Sequence, residues 1–276
     1  MIRPIKAILM RNLLKLSRDR MRLFFTLFMS GLFLFVFSFV TRSVAIGLDH
    51  PMNYLISGII IMTVFQTALN NSMNILEDIS TGFMKEILVA PIARWQIAIG
   101  QVLSSAVVAV LQGVIIVIAG LFMGLTMDFL HGVLMLCLMC LVGVTFSCLG
   151  LYLSAVTKES TNFQLLVTLV AMPLTFLSGA YIPTMVMPKI LSPIVYLNPL
   201  TYTTAAFRYL SLHMENMPVA SLIKAGVAFN VHGFIITPLL SVILVSVMAA
   251  VFFTLCVKRF GSADFSKIKI MRHGHR

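Results

Sequence analysis

The charges that could do chemical work in this chain are few, and they are gathered. Between Glu77 and Gln96 lie Glu77, Asp78, Lys85, Glu86 and Arg94, in a chain of 276 residues with only 9 acidic positions. Glu77 and Asp78 are adjacent and would point in different directions on a helix. They therefore do not form the paired carboxylates that membrane enzymes acting on lipid phosphates use to hold a metal. Gly82 opens a stretch, Phe83–Ala90, that can be helical until Pro91 stops it. Phe83, Ile87, Leu88 and Pro91 suit one face. Such a short amphipathic helix is too charged to insert in lipid and too apolar to be a simple tether. A second pattern is Gln66, Asn70 and Asn74 at i, i+4 and i+8, with Thr63 and Thr67 beside them. An amide-rich face of this kind is costly against lipid. Two readings stay open: a substrate path or subunit contact, and ordinary hydrogen bonding between helices.

What is missing narrows the function further. The sequence has no G-x-x-x-x-G-K-[ST], no H-E-x-x-H and no G-x-S-x-G. No catalytic residue and no cofactor site is expected. Cys137 and Cys140 form a C-x-x-C, but they and Cys148 and Cys256 all fall in apolar stretches, which favours packing over redox or metal chemistry. His273 and His275 sit in a basic tail, where lipid headgroups or water are better partners than a metal. No metal site is expected. No acidic pair lies deep in an apolar run, where proton- or sodium-coupled transporters place their ionisable groups. Gly120 and Gly124 permit close helix approach, a common and weak signal. The chain reads as a conduit without an engine of its own.

The elements that must position these residues follow from composition. The hydrophobic fraction is 59% and the charged fraction 11%, against about 25% charged in soluble domains. Apolar runs long enough to cross a hydrocarbon core of about 30 Å recur along the chain. Lipid cannot satisfy backbone amides, so each run must be a helix. The runs do not alternate as barrel strands would. The expected fold class is all-α, a polytopic membrane protein with six transmembrane helices at Leu23–Val40, Tyr54–Ile75, Ile97–Leu125, Val133–Val156, Phe163–Ala180 and Phe234–Val257. The third is longer than needed and would tilt or begin in the interface. The first is too long for the apolar part of a cleaved signal peptide, and no small-x-small site follows it.

Residues 1–22 place Ile2, Ile5, Leu9, Leu13 and Leu16 on one helical face and Arg3, Arg11, Lys15, Arg18 and Arg22 on the other. That suits a basic amphipathic helix lying in the membrane interface; a plain positive anchor is the simpler reading. Tyr181–Gly233 carries Pro183, Pro188, Pro193, Pro199 and Pro218 yet stays apolar. Prolines at this density cannot sustain one straight span, so re-entrant or broken helices between spans 5 and 6 are expected. No linker or repeat divides the chain, and a single domain is expected over 1–276, with residues 258–276 a basic tail.

Orientation rests on Lys and Arg. With six spans, sixteen of the 20 fall on the side of the two ends and of the loops after spans 2 and 4. Arg42, Lys189, Arg208 and Lys224 fall on the other. Both termini are therefore expected in the cytoplasm. The basic balance is a topology signal, and nucleic acid is not an expected partner.

The stretch Glu77–Gln101, EDISTGFMKEILVAPIARWQIAIGQ, resembles the cytoplasmic segment of ABC-2 type permeases, the membrane subunits of ATP-binding-cassette exporters. The residues that carry the likeness are Glu77, Gly82, Glu86-Ile87-Leu88, Ala90-Pro91, Arg94-Trp95 and Ile97-Ala98-Ile99-Gly100. Leu177–Tyr202, LSGAYIPTMVMPKILSPIVYLNPLTY, with Arg208 following, resembles the family's second hallmark, a Ser-Gly after span 5, spaced prolines and Asn-Pro-Leu-Thr-Tyr. The likeness covers nearly the whole chain and is nearest the drug-resistance and lipooligosaccharide export branch. Two positions depart: Gln101, often basic, and Gly82-Phe83-Met84, usually Gly-Thr-Leu.

The resemblance implies a permease subunit, a homodimer or close heterodimer in the inner (plasma) membrane. Two copies of a cytoplasmic ATPase, holding ATP and magnesium, would drive export of a drug, lipid-linked or other amphipathic substrate. The helix in Thr81–Ala90 would dock on the ATPase, with Glu77, Asp78, Lys85, Glu86 and Arg94 setting register and Gly82, Phe83, Ile87, Leu88 and Pro91 shaping the contact. Thr157, Lys158 and Glu159 would make a second cytoplasmic contact. Gln66, Asn70 and Asn74 would serve the pathway or dimer, and spans 2 and 5 would line it. Ser178, Gly179, Pro183, Pro188, Asn198 and Pro199 would belong to an external gate, for which a packed lid is the plainer reading. A secondary transporter or channel not driven by ATP is the alternative.

Overall fold

The computed structural model describes residues 2–43, 51–89, 92–123, 125, 127–157, 159–181, 184, 187–231 and 234–262. Pro91, Lys158, Pro183 and Gly124 lie outside them, as does most of the basic tail, and so do the side chains of Lys85, Leu88 and Ile2. Among the described residues the protein is mostly helical, at 83%. Helices α1 (Ile2–Arg18) and α2 (Arg20–Ser43) are followed by α3 (Pro51–Asn70), α4 (Met73–Ser80), α5 (Phe83–Val89), α6 (Arg94–Phe122), α7 (Phe129–Thr157) and α8 (Ser160–Phe176). A 3-10 turn, Lys189–Leu191, then leads to α9 (Ser192–Leu197), α10 (Pro199–Ser211) and α11 (Val219–Lys224). Strands β1 (Phe229–Val231) and β2 (Phe234–Ile236) precede α12 (Pro238–Ser262).

Among the described residues, four stretches are long and apolar enough to cross a membrane: Asn53–Ser80, α6, α7 and Pro238–Arg259 of α12. α8 and the apolar part of α2, Phe24–Phe33, are shorter. The core forms where α3, α6 and α7 pack on one another and α12 lies against α7. Phe65 of α3 meets Phe146 of α7 edge-on, with ring centroids 4.6 Å apart, a favoured geometry for aromatic pairs. Large apolar side chains remain on the outer faces of α2, α8 and α12, such as Phe35, Leu169 and Leu239, as a chain solvated by lipid requires.

Four expectations are corrected. The fold is not purely helical, because β1 and β2 form an antiparallel hairpin in register Phe229↔Ile236. The last long helix accordingly starts at Pro238, not Phe234. Phe234, Ile235 and Ile236 are aromatic and β-branched and favour a strand, whereas Pro238 has the φ of a first helical residue and needs no amide partner there. The second expected span is interrupted after Asn70, where Ser72 donates to Leu69 O in a tightened turn before α4 begins. The fifth stops at Phe176 rather than Ala180, and Gly179 adopts φ +81°, a left-handed conformation that favours glycine.

Gly58 shows why α3 lies so close to that bend. A Cβ at Gly58 would sit 2.3 Å from the Ala180 carbonyl oxygen, a backbone atom. Gly58→Ala is therefore expected to lower stability by about 2–3 kcal/mol through forced backbone movement. A thermal denaturation midpoint in detergent equal to that of the unsubstituted protein would show that the approach is not this tight.

Candidate functional site

Three polar assemblies interrupt the apolar body. The first joins α1 to α4, α5 and α6. Arg11 Nη2 donates to both carboxylate oxygens of Asp78 at 2.6 Å, and Asp78 is almost fully enclosed. Lys15 pairs with Glu77 and reaches Asn74 Oδ1 at 3.4 Å. Asn12 Nδ2 donates to Gln101 Oε1 at 2.9 Å, both side chains being buried. The Arg11 guanidinium also lies 4.7 Å from the centroid of the Phe83 ring, within range of a cation–π attraction. One side chain of α1 thus holds both α4 and α5.

Several of the expected residues thus have partners within the chain. Asp78 is enclosed by its bonds to Arg11, while Glu77, 44% exposed, pairs with Lys15. Charge-assisted hydrogen bonds tie both to α1. Arg11 and Lys15, expected on the basic face of an interfacial helix, turn toward α4, and the buried face of α1 centres on Ile8 and Asn12. An apolar-only helical wheel could not find Asn12, because its burial depends on Gln101, 89 positions away. Gln101 is also where the sequence departed from the usual basic residue; here an amide meets an amide.

α5 is seated by Met84, which is buried, and by Ile87, which packs partly against the core. Phe83, Glu86 and Val89 point outward, Val89 with 87% of its surface exposed. Ile87 therefore faces inward, contrary to the expected docking set, because α5 needs an apolar anchor to its own chain. Gly82, at φ +82°, makes the turn between α4 and α5. Arg94 is exposed at the start of α6, beyond this turn. Glu159 precedes the first residue of α8 and accepts from Asn162 Nδ2 at 2.8 Å, while Thr157 closes α7 through a bond to Leu153 O at 3.1 Å. α4 packs against α7 and α8 near this loop.

The second assembly is a groove between α2, α3 and α8. Its larger part has a volume of about 570 Å³, and an adjoining part of about 300 Å³ shares Phe33, Gln66, Asn70, Gln164 and Tyr181 with it. Gln66 and Asn70 from α3 and Gln164 from α8 put three amides into walls that mix Phe and Met with Ser and Thr side chains. Thr67 donates to Gln112 Oε1 at 2.5 Å at its base, and Ser30 of α2 lies 3.1 Å from Thr63. The groove keeps two of the three expected amides. Asn74 leaves the set, because the turn after Asn70 rotates it toward α1. Gln164 and Gln112 were not singled out in the sequence; each is a lone amide in an apolar helix, which was the available signal.

The third assembly closes the far end of the groove. Asn198 caps α10 by accepting from Leu200 N at 2.9 Å and donates to Leu174 O at 2.8 Å. Pro199 follows as the first helical residue. Ser178 is buried and donates to Thr175 O at 2.7 Å. Pro188 is exposed and begins the 3-10 turn, its carbonyl accepting from Leu191 N at 2.9 Å. Arg208, 1% exposed, is the centre of this region. Its Nη2 donates to Gly179 O at 3.2 Å, Ala180 O at 3.4 Å and Tyr54 O at 3.5 Å. Its guanidinium carbon lies 3.3 Å from the Tyr54 ring centroid. Ser178, Gly179, Asn198 and Pro199 are thus held by these local bonds near the bend after α8.

Residues 3–212 match the family model described as ABC-2 type transporter. The chain is 34% identical over 175 residues to transport permease ycf38 of Porphyra purpurea, covering 62% of this chain and 60% of that protein. It is 33% identical over 218 residues to the ycf38 protein of Pyropia yezoensis, covering 76% of this chain and 74% of that one. It is also 25% identical over 193 residues to Inner membrane transport permease YadH of Escherichia coli, covering 67% and 72%. With its apolar helices, its groove and a family match over most of its length, the chain belongs to the ABC-2 type transporter family.

Proposed function

We propose that this chain is the permease subunit of an ATP-driven exporter in an inner or plasma membrane, with α5 as the docking element for a separate ATPase. The observation that carries the proposal is the construction of α5. Met84 and Ile87 anchor it, Arg11 braces it from α1, and Phe83, Glu86 and Val89 are left facing out. A one-helix plug of mixed apolar and charged character suits a groove on a soluble partner. Family membership supports an ATPase partner.

In this reading six segments cross the membrane: α2, α3 with α4, α6, α7, α8 and α12. Both termini lie in the cytoplasm, where the excess of Lys and Arg would be retained. The groove between α2, α3 and α8 belongs to the substrate path. Its exposed apolar rim on α8, with Leu165, Leu169 and Met172, suits a second copy of the chain closing over it. ATP and magnesium would be held by two copies of the ATPase, and an amphipathic drug or lipid-linked molecule fits walls of Phe, Met and amide side chains.

The outward face of α5 makes the test specific. Glu86→Arg and Val89→Asp, each alone, are expected to insert normally and to reduce copurification of the ATPase at least tenfold. Met84→Asp is expected to lower the amount of folded protein instead. ATPase binding unchanged in both outward variants would remove α5 from this role. ATP-dependent export by the reconstituted complex that resists a protonophore would support the energy source; efflux that needs no ATPase and collapses with the proton gradient would refute it.

A further inference from the structure

At the opposite end of α6 and α7 from the α1 cluster, a group of side chains has no part in the function proposed above. α6 carries 29 residues, a run of about 43 Å, from Arg94 to Phe122, and α7 begins just beyond it. Asp128 and His131 lie at that start, and His213 and Glu215 follow the end of α10. One ligand atom from each of Asp128, His131 and His213 lies within 4.8 Å of the others. We propose that these three residues bind a zinc-class divalent cation, with Glu215 orienting His131.

The hydrogen bonding around His131 is that of a metal ligand. Its Nε2 lies 2.7 Å from Glu215 Oε1. With Nε2–H donating to that carboxylate, Nδ1 keeps its lone pair, and a carboxylate on the remote nitrogen is how metal-bound histidines are commonly held. Nδ1 is buried and has no hydrogen-bond partner among the described residues. It points toward Asp128 Oδ2 at 3.9 Å, too far for a hydrogen bond. Two donors about 2.1 Å from one tetrahedral ion stand about 3.4 Å apart. The Asp128 side chain is 82% exposed, so a small rotation brings its oxygen in.

The second imidazole arrives through an unusual backbone. Met214 N donates to Tyr209 O at 3.2 Å and His213 N to Leu210 O at 3.4 Å. This pair of bonds ends α10 with a left-handed residue, a place where glycine or asparagine is usual. His213 occupies it at φ +50°. For a residue with a Cβ that conformation is unfavourable, and the ring centroid lies 4.0 Å from that of His131. Two nitrogens and one carboxylate with an open fourth position are a donor set that zinc accepts. The ion would clamp the segment after α10 to the start of α7.

The test uses the full chain in lipid nanodiscs, freed of any affinity tag and treated with a chelator. Zinc ions are then titrated by calorimetry, and bound zinc is counted by mass spectrometry. One equivalent per chain is expected, with a rise in thermal midpoint. His213→Asn, which suits the left-handed position, is expected to keep the metal-free midpoint, weaken zinc binding at least tenfold and abolish the zinc-induced rise. His131→Ala should do the same to binding. Glu215→Gln should weaken binding by about 10–100-fold. His273→Ala with His275→Ala should leave it intact. No zinc binding by the unsubstituted chain, equal binding by the His131→Ala/His213→Asn double variant, or loss only with the tail variant would each overturn the proposal.

Discussion

Arg208→Met should cost the protein about 4 kcal/mol, a loss large enough to lower the denaturation midpoint by roughly 10 °C. Three effects set this loss. The Ala180 carbonyl loses the donor from Arg208, and Gly179 O keeps only a long contact, 3.5 Å, from the Tyr54 hydroxyl. Each buried acceptor left without a good partner costs about 1–3 kcal/mol. The stacking on Tyr54 is lost as well, worth about 2 kcal/mol when desolvated. Tyr54 O is less affected, because Ser57 Oγ also donates to it at 2.8 Å. Against these losses stands relief from burying a cation, since Arg208 Nε is itself unpartnered among the described residues. Arg208→Lys is expected to recover little, because an ammonium cannot stack on the ring and reach two carbonyls as a planar fork does. Thermal denaturation in detergent of both variants checks this. A methionine variant as stable as the original would mean that Arg208 is a tolerated cost and serves a substrate instead.

Asp78→Arg should release α1 from the body. It would place a cation against Arg11 and Lys15 in a nearly closed site where Arg11 now donates twice at 2.6 Å. Hydrogen bonds involving charged groups contribute about 1.5–3 kcal/mol, and the reversal adds repulsion to their loss. Trypsin should then cut at Arg18 or Arg20, between α1 and α2, at least tenfold faster. The exchange Arg11→Asp with Asp78→Arg should recover part of the protection, and a double-mutant cycle with Arg11→Ala and Asp78→Ala should give a coupling of about 1.5–2.5 kcal/mol. Additive single effects would show that the pair does not hold α1. Because Arg11 also touches Phe83, loosening α1 is expected to weaken ATPase binding without altering the outer face of α5.

Much of the architecture was legible from residues alone. Apolar length located α6 and α7 to within a few residues, because a run of that length has no alternative to a helix in lipid. The short helix before Pro91 was found from Gly82 and the pattern Phe83–Ala90, and α5 spans Phe83–Val89. The amides Gln66 and Asn70 were found as polar exceptions on an apolar helix. Boundaries slipped where local chemistry competed with hydropathy. Phe234–Ile236 is as apolar as a span but β-branched, and it became a strand. Phe176–Ala180 is apolar too, but Gly179 let the chain bend.

The rest depended on residues far apart in the chain. Glu77 and Asp78 carry the same charge in any reading, but only the position of α1 shows that they pair with Lys15 and Arg11. Asn12 and Gln101 are each costly in an apolar helix and become acceptable together. Arg208 looked like one more basic residue outside the membrane, until three carbonyls and a ring closed around it. Hydropathy and backbone hydrogen bonding act over one helix, so they can be read along the chain. The partner of a buried charge or amide is set by which helices pack together, and that belongs to the folded molecule as a whole.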